Sequence, residues 1–292
     1  MPSRDQAGNQ VTIYDVAQDA KVSISTVSRV LNDSGEVAEH TRDRVLASVR
    51  KLEFHPNRTA RRLAKRTETI VVAVPSFITP FHNDLLEGVR ERLKDSDVDL
   101  LLCDLEWENP RQSLRQFLSR GSIDGLLVVG VSMDASVAEE IHTIGAPVVL
   151  IGASWPRFDS FYWDDEEGAQ VATQHLLDIG HERIGMIATP HVNQVREDRI
   201  RGYRKALRSA GVGFDKSRIA YGRTKKHDGY SEEAGYEAMN DLLLQEPSVT
   251  AVFASSDVHA IGAWQAIRES GQQVPEDFAL VGYDDIKVSR FI

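Results

Sequence analysis

Two kinds of periodicity divide the chain. Near its start, Ile13, Val16, Ala17 and Ala20 recur at i, i+3, i+4 and i+7, which predicts a short amphipathic helix. Ser23 follows as an N-cap for a second helix with the apolar stripe Val27, Val30 and Leu31, broken by Asn32-Asp33-Ser34-Gly35. A third helix is predicted from about Glu39 to Leu52, burying Val45, Leu46, Val49 and Leu52. Three short helices, two of them joined by a tight connection, describe a helix-turn-helix unit, although a plain three-helix bundle with a solvated face has the same period. From Thr69 onward the pattern changes to apolar runs separated by amphipathic stretches. The runs predict strands at Ile70–Val74, Val98–Cys103, Ile123–Val129, Val148–Ile151, Ile184–Ala188, Ile219–Tyr221, Ala251–Ala254 and Phe278–Tyr283. Stretches such as Asn83–Lys94 and Gly168–Asp178 read as helices between them. Continuous apolar strands alternating with helices predict parallel sheets covered on both faces, here in two halves that meet near residues 152–164.

Charge follows the same division. The chain of 292 residues carries a formal −10, which by itself argues against a polyanionic partner. The sum hides an asymmetry: residues 1–66 hold 12 Lys+Arg against 8 Asp+Glu, net +4, while the remainder is net −14. Within residues 50–66 the basic side chains Arg50, Lys51, Arg58, Arg61, Arg62, Lys65 and Arg66 face a single acid, Glu53. A basic segment on an acidic protein points to a localised polyanion contact.

Other compositional features narrow the function by exclusion. No apolar run approaches the roughly 18 residues of a membrane-spanning helix, and the opening MPSRDQAGNQ has no apolar core, so neither anchoring nor export is expected. Cys103, the one cysteine, sits in an apolar run and reads as a small buried hydrophobe in a chain kept in a reducing compartment. There is no P-loop, HExxH, GxSxG or strand-linked GxGxxG, so enzymatic machinery, a cofactor and a metal are not expected.

On the second predicted helix, Ser25 and Arg29 lie one turn apart and opposite the apolar stripe, pointing outward. The segments Val11–Ala17, Thr26–Asn32, Thr41-Arg42 and Pro56–Ala64 stand in an order and spacing that resemble the DNA-binding headpiece of the LacI/GalR family of transcriptional regulators. By that resemblance Ile24, Ser25 and Arg29 reach base edges in the major groove, and Thr12, Tyr14, Ser23, Thr26, Ser28 and Asn32 hold phosphates. The chemistry of Arg29 agrees, since a guanidinium pairs with guanine O6 and N7 in bidentate fashion. Two positions depart from the family pattern. Lys21 replaces the usual turn glycine, which implies a less strained turn or an added phosphate contact; Ala38 replaces the usual Ser cap and weakens the start of the third helix.

Residues 57–64 resemble the family's hinge helix, with Asn57 as cap, Arg58 beside it, and Ala60, Leu63 and Ala64 on one face. In the family this helix orders on cognate DNA, pairs across a dimer, and inserts a leucine into the minor groove, here Leu63. Taken alone, Leu63 also fits an ordinary core position. The resemblance therefore implies a cytoplasmic, nucleoid-bound homodimer on a pseudo-palindromic double-stranded operator.

The body carries further landmarks: Gly168-Ala169, Gly180-His181-Glu182-Arg183-Ile184, Arg199–Tyr203, Ser256-Asp257 and Val281–Asp285. They resemble the second lobe of the family's periplasmic-binding-protein-like sensor. The implied domains are a headpiece at 1–56, a hinge helix and linker at 57–68, and a two-lobed ligand-sensing and dimerisation domain at 69–292, its lobes spanning about 69–162 and 163–288. A small sugar-like effector is then expected between the lobes, at the carboxyl ends of the strands. Arg199 and Asp284 are its polar clamp, Tyr230 its aromatic wall, and Thr79, Phe81 and Ser256 further contacts; Phe81 and Tyr230 also fit core positions. Gly152 stands where some members carry an acidic contact. Trp155 and Trp163 lie near it without an assigned role. His181 is expected to close a helix end through its side chain. By the same resemblance about 40 to 50 residues of the pattern, a returning strand and helix, lie beyond Ile292, so the sensor domain is expected to lack its C-terminal end.

Overall fold

A computed structural model describes residues 11–31, 37–54, 68–76, 79–106, 109–119, 121–245 and 248–292. Contacts divide the chain into two units, Met1–Thr67 and Glu68–Ile292.

The first unit holds three helices, α1 (Ile13–Asp19), α2 (Ile24–Leu31) and α3 (Glu39–Lys51). Val16, Ala17, Ala20, Val27, Val30, Val45 and Phe54 form its core. Of the residues expected inside α3 only Val45 is fully buried; Leu46, Val49 and Leu52 pack around it, and Ser48 is buried as well. Ser48 is tolerated there because its hydroxyl bonds the Asp19 carboxylate, which Lys51 also reaches at 2.6 Å. At the head of α1 the Asp15 carboxylate accepts from the Thr12 N–H and hydroxyl, both at 2.7 Å, which fixes the first turn. Ser23 Oγ accepts from the Thr26 N–H at 3.1 Å and starts α2. Ala38 stands at the N-cap of α3 and offers no side-chain acceptor.

The turn between α1 and α2 corrects one expectation. Lys21 does not relax it: its φ is +50°, so the chain keeps the left-handed backbone that a glycine would adopt freely and carries a Cβ through it.

The second unit contains two parallel sheets. The first comprises β1 (Glu68–Val74), β2 (Val98–Asp104), β3 (Gly125–Val129), β4 (Val148–Ile151) and β5 (Asp159–Phe161), in the order β2-β1-β3-β4-β5. The helices α4 (Pro80–Leu93), α5 (Pro110–Leu118) and α6 (Ala135–His142) alternate with its strands. The pleat divides β1 between two cores: Val71 and Ala73 join Leu126-facing neighbours such as Leu114, Ile141 and Leu150, whereas Val72 and Val74 pack toward Leu85, Leu86 and Val89 of α4. The second sheet comprises β6 (Ile184–Ala188), β7 (Ile219–Tyr221), β8 (Ala251–Ala254) and β9 (Ala279–Val281), in the order β7-β6-β8-β9. Around it lie α7 (Asp165–Asp178), α8 (Gln194–Ser209), α9 (Glu232–Leu243) and α10 (Asp257–Glu269). Met186 and Phe253 face one core, Ile187 and Val252 the other.

Four strands differ in bounds from the expected ones, β1 starting at Glu68 rather than Ile70 and β2 ending at Asp104 rather than Cys103, and one strand was not expected. β3 starts at Gly125 rather than Ile123, and β9 is confined to Ala279–Val281 because Gly282–Asp285 turn away. The added strand, β5, is three residues of Asp-Ser-Phe on a sheet edge, too short and polar to show in an apolar pattern. It pairs with β4, and Gly152 N–H reaches Phe161 O at 2.8 Å.

One close approach places the functional side chains. A Cβ at Gly202 on α8 would collide with the backbone oxygen of Glu166 on α7. The missing side chain lets the two helices touch backbone to backbone, and Arg199, one turn earlier, lands beside Asp165 at the start of α7. Among the described residues no helix is long and apolar enough to cross a membrane.

Candidate functional site

Each unit presents one candidate site. In the first, α2 turns Val27 and Val30 inward, which leaves Ile24, Ser25 and Arg29 on the opposite, exposed face. Ile24 is 41% exposed and Tyr14 68%. Ser23, Ser25 and Thr26 form a hydroxyl cluster at the N-terminus of α2, Ser23 Oγ lying 2.7 Å from Ser25 Oγ and 2.8 Å from Thr26 Oγ1. Thr12 is exposed with its hydroxyl held by Asp15, and Ser28 is half-buried. An apolar side chain, a hydroxyl and a guanidinium on one exposed helix face match the chemistry of base edges, and the hydroxyl cluster at a helix N-terminus matches that of phosphates. Asn32, Asn57, Arg58, Ala60 and Leu63 lie outside the described residues.

In the second unit, Thr79, Phe81, Arg199, Tyr230, Ser256 and Asp284 all line one cavity of about 120 Å³. Its walls come from both sheets: the loops after β1, β3, β4 and β5 on one side, those after β6, β7, β8 and β9 on the other. Every one of those loops leaves the carboxyl end of a parallel strand.

The polar end of the cavity is organised around one buried guanidinium. Arg199 is 5% exposed. Its Nε donates to Asp165 Oδ1 at 2.8 Å, Nη1 donates to the Ser255 carbonyl, and its plane lies 3.7 Å above the Tyr283 ring. Nη2 stands 3.7 Å from Asp284 Oδ1. Burial raises the Asp284 carboxyl to about 7; Arg199 opposes the shift, while Asp257 and Asp165 add to it. Asp284 also has φ +106°, a backbone strain of the kind found at ligand clamps. Asp257 helps hold it there, accepting the Ile286 N–H at 2.9 Å while its own N–H donates to Tyr283 O.

Aromatic groups form the other walls. Tyr230 stacks on His259 with centroids 5.6 Å apart and planes 14° from parallel. Burial drives the His259 imidazole down to about 4, so it is neutral; Nε2–H donates to Gly229 O at 2.6 Å, which fixes the ring behind Tyr230. The Tyr230 hydroxyl is hydrogen-bonded to the Asn193 side chain. Across the cavity, Phe81 meets Trp163 edge to face at 5.8 Å. Thr79 Oγ1 lies 2.7 Å from His82 Nδ1, whose imidazole burial holds below its usual range. Ser256 caps α10, its Oγ accepting the His259 N–H at 3.4 Å.

Several of these residues escaped the sequence reading. Trp163 was unassigned, yet its indole occupies the space beside Gly152, whose φ of +75° and missing side chain leave room for it. Trp155 packs instead on the first-sheet core. Asp165 gave no signal, being one acid in the run Asp164–Glu167 that reads as helix N-terminal charge. His181 is corrected in its detail: its backbone N–H closes α7 by reaching Leu176 O at 3.1 Å, while its ring lies 3.0 Å from the Thr250 hydroxyl. Cys103 is buried.

Known families match both units in the same order. Residues 12–57 match the family described as "Bacterial regulatory proteins, lacI family", and residues 67–290 match "Periplasmic binding proteins and sugar binding domain of LacI family". The HTH-type transcriptional regulator DegA of Bacillus subtilis (strain 168) is 34% identical over 284 residues, covering 94% of this chain and 82% of that protein. A solved complex of the transcriptional regulator CelR with cellobiose superposes with a TM-score of 0.66 at 32% identity, over 96% of this chain and 84% of that one. The lac repressor dimer bound to operator and the anti-inducer ONPF gives a TM-score of 0.77 at 28% identity over the same shares. With its helix-turn-helix unit and its two-sheet body matched in order, the chain belongs to the LacI family and is a DNA-binding transcriptional regulator.

Proposed function

We propose that this regulator is a homodimeric repressor whose headpiece, residues 1–56, reads a pseudo-palindromic operator, and whose body, residues 69–292, binds a sugar-like effector that changes operator affinity. Residues 57–68 are the hinge between them. Ile24, Ser25 and Arg29 read bases; Thr12, Tyr14, Ser23, Thr26, Ser28 and Asn32 hold phosphates; Asn57, Arg58, Ala60 and Leu63 enter the minor groove. Thr79, Phe81, Arg199, Tyr230, Ser256 and Asp284 contact the effector. The protein acts in the cytoplasm, on the nucleoid, by binding alone and without catalysing a reaction.

The observation that carries this reading is the cavity, in which side chains from both sheets meet at the carboxyl ends of their strands. A ligand there touches both halves at once, so its affinity must differ between arrangements that bring the halves together or part them. Likeness to a regulator solved with cellobiose supports a sugar, and likeness to a repressor solved as a dimer on its operator supports the dimer and the palindrome. Operator affinity and effector affinity must then be coupled reciprocally.

The test is selection of a bound sequence from genomic fragments, followed by fluorescence anisotropy on the selected duplex with and without a panel of sugars. The reading expects salt-sensitive, sequence-selective binding to a near-palindrome and a shift in midpoint with at least one sugar. Binding that is equal on all fragments, or that no sugar alters, overturns it.

A further inference from the structure

We infer that the cavity selects an uncharged sugar ring and rejects phosphate esters of sugars. The inference rests on the effector reading above and specifies its ligand class.

Phosphate recognition needs a cation with hydrogen bonds to spare. Among the described residues the lining holds one guanidinium and no ammonium. That guanidinium, Arg199, is already balanced in charge before a ligand arrives: Asp165 takes Nε, the Ser255 carbonyl takes one hydrogen of Nη1, Tyr283 covers one face, and the Asp284 carboxyl stands 3.7 Å from Nη2. Two carboxylates against one guanidinium leave the polar end with no excess positive charge, and with an excess negative one when Asp284 is ionised. Two imidazoles also line the cavity, His82, whose neutral form burial favours, and His227, so neither adds a permanent cation.

Helix N-termini are the other common phosphate cradle, and α4, α8 and α10 all begin at the cavity. Each is already occupied or blunted. Pro80 removes a first-turn N–H from α4, Asn193 Oδ1 takes the Arg196 N–H of α8, and Ser256 Oγ takes the His259 N–H of α10, whose first turn also carries Asp257.

What remains suits a neutral ring. Phe81, Trp163 and Tyr230 present π-faces and edges to the weakly apolar C–H face of a sugar, and Ile151, Val195 and Val258 fill between them. Asp284 is the acceptor for hydroxyl donors at the other end. A phosphate placed there meets the Asp284 carboxylate as a like charge in a desolvated site, a juxtaposition that costs several kcal/mol.

The test is isothermal calorimetry of the full chain against matched pairs: glucose and glucose 6-phosphate, ribose and ribose 5-phosphate, trehalose and trehalose 6-phosphate. The neutral member of the pair that binds is expected to be tighter by at least about tenfold. Asp284→Asn keeps the shape and tolerates a positive φ, since Asn is among the residues enriched there, and it is expected to shrink that preference severalfold. A phosphorylated member that binds as well as its neutral partner overturns the inference and leaves the effector reading standing. A preference that Asp284→Asn does not reduce also overturns it, because discrimination would then come from shape alone. If no sugar of either kind binds, the effector reading fails and this inference with it.

Discussion

The two sites are built in opposite ways. On α2 the residues proposed to meet DNA are exposed, and an isoleucine and a serine stand in solvent beside an arginine. In the body the arginine is buried, its partners are already in place, and even the aromatic wall is fixed from behind by His259. A duplex supplies phosphates and base edges of known spacing, so the reading face needs only to be displayed on a rigid helix. A small ligand supplies little, so its site must be organised by the protein in advance. Substitutions should therefore damage the cavity through folding and the reading face through binding.

Breaking the cavity network should have the largest effect. Arg199→Ala leaves Asp165 and Asp284 facing each other without their cation, and loss of one partner of a buried ion pair costs about 3–5 kcal/mol. Gly202→Ala forces α7 from α8 and is expected to cost at least about 3 kcal/mol by steric overlap with backbone. Urea unfolding followed by far-UV circular dichroism reads both, and an unchanged transition for the body would erase the contrast between the sites.

A smaller effect comes from protonation. Burial lifts the Asp284 carboxyl from 3.8 to about 7, against Arg199 and with Asp257 and Asp165; Tyr283, itself raised to about 12 by burial, stays neutral beside it. The folded chain therefore holds a proton that the unfolded chain releases, and ionising Asp284 opposes folding progressively from about pH 4 to 7 and fully above that. A hydroxyl donor prefers the ionised form, so sugar affinity should fall by up to about tenfold per unit as pH drops below 7. Calorimetry between about pH 5.5 and 8 should show that slope in the wild type and none in Asp284→Asn; a flat wild-type profile contradicts the assignment.

The smallest effects concern the display of α2 and its neighbours. Ala38→Ser gives α3 a capping hydroxyl and should stabilise the first unit by about 1 kcal/mol. Lys21→Gly relieves a left-handed backbone at the cost of unfolded-chain entropy, with a net gain of up to about 1 kcal/mol. Thermal melting of both variants should show higher midpoints.

Legibility in the sequence followed the same contrast. Regular elements with strong periodicity, such as β6 and α2, are plain in the pattern, because apolar spacing is what burial selects. Ser25 and Arg29 could be placed on one outward face from helical geometry alone, while Ile24 came from the resemblance. The six cavity residues came from motif likeness, since no local pattern links Thr79 to Asp284 across the fold. What stayed hidden depends on long-range geometry: Asp165 beside Arg199 follows from a helix contact at Gly202, and Trp163 beside Gly152 from the parallel pairing of β5 with β4. Lys21 shows the converse, where a change of residue left the backbone turn as a glycine would make it.

Arg29→Ala addresses the central claim, that the exposed face of α2 reads DNA sequence. Anisotropy titrations on the selected operator and on random duplex, at matched salt, give the specificity ratio for wild type and variant. Operator binding should weaken by about 1–3 kcal/mol while random-duplex binding changes little, which collapses the ratio and relaxes one base position. Equal losses on both duplexes would contradict base reading and reduce Arg29 to one more positive charge.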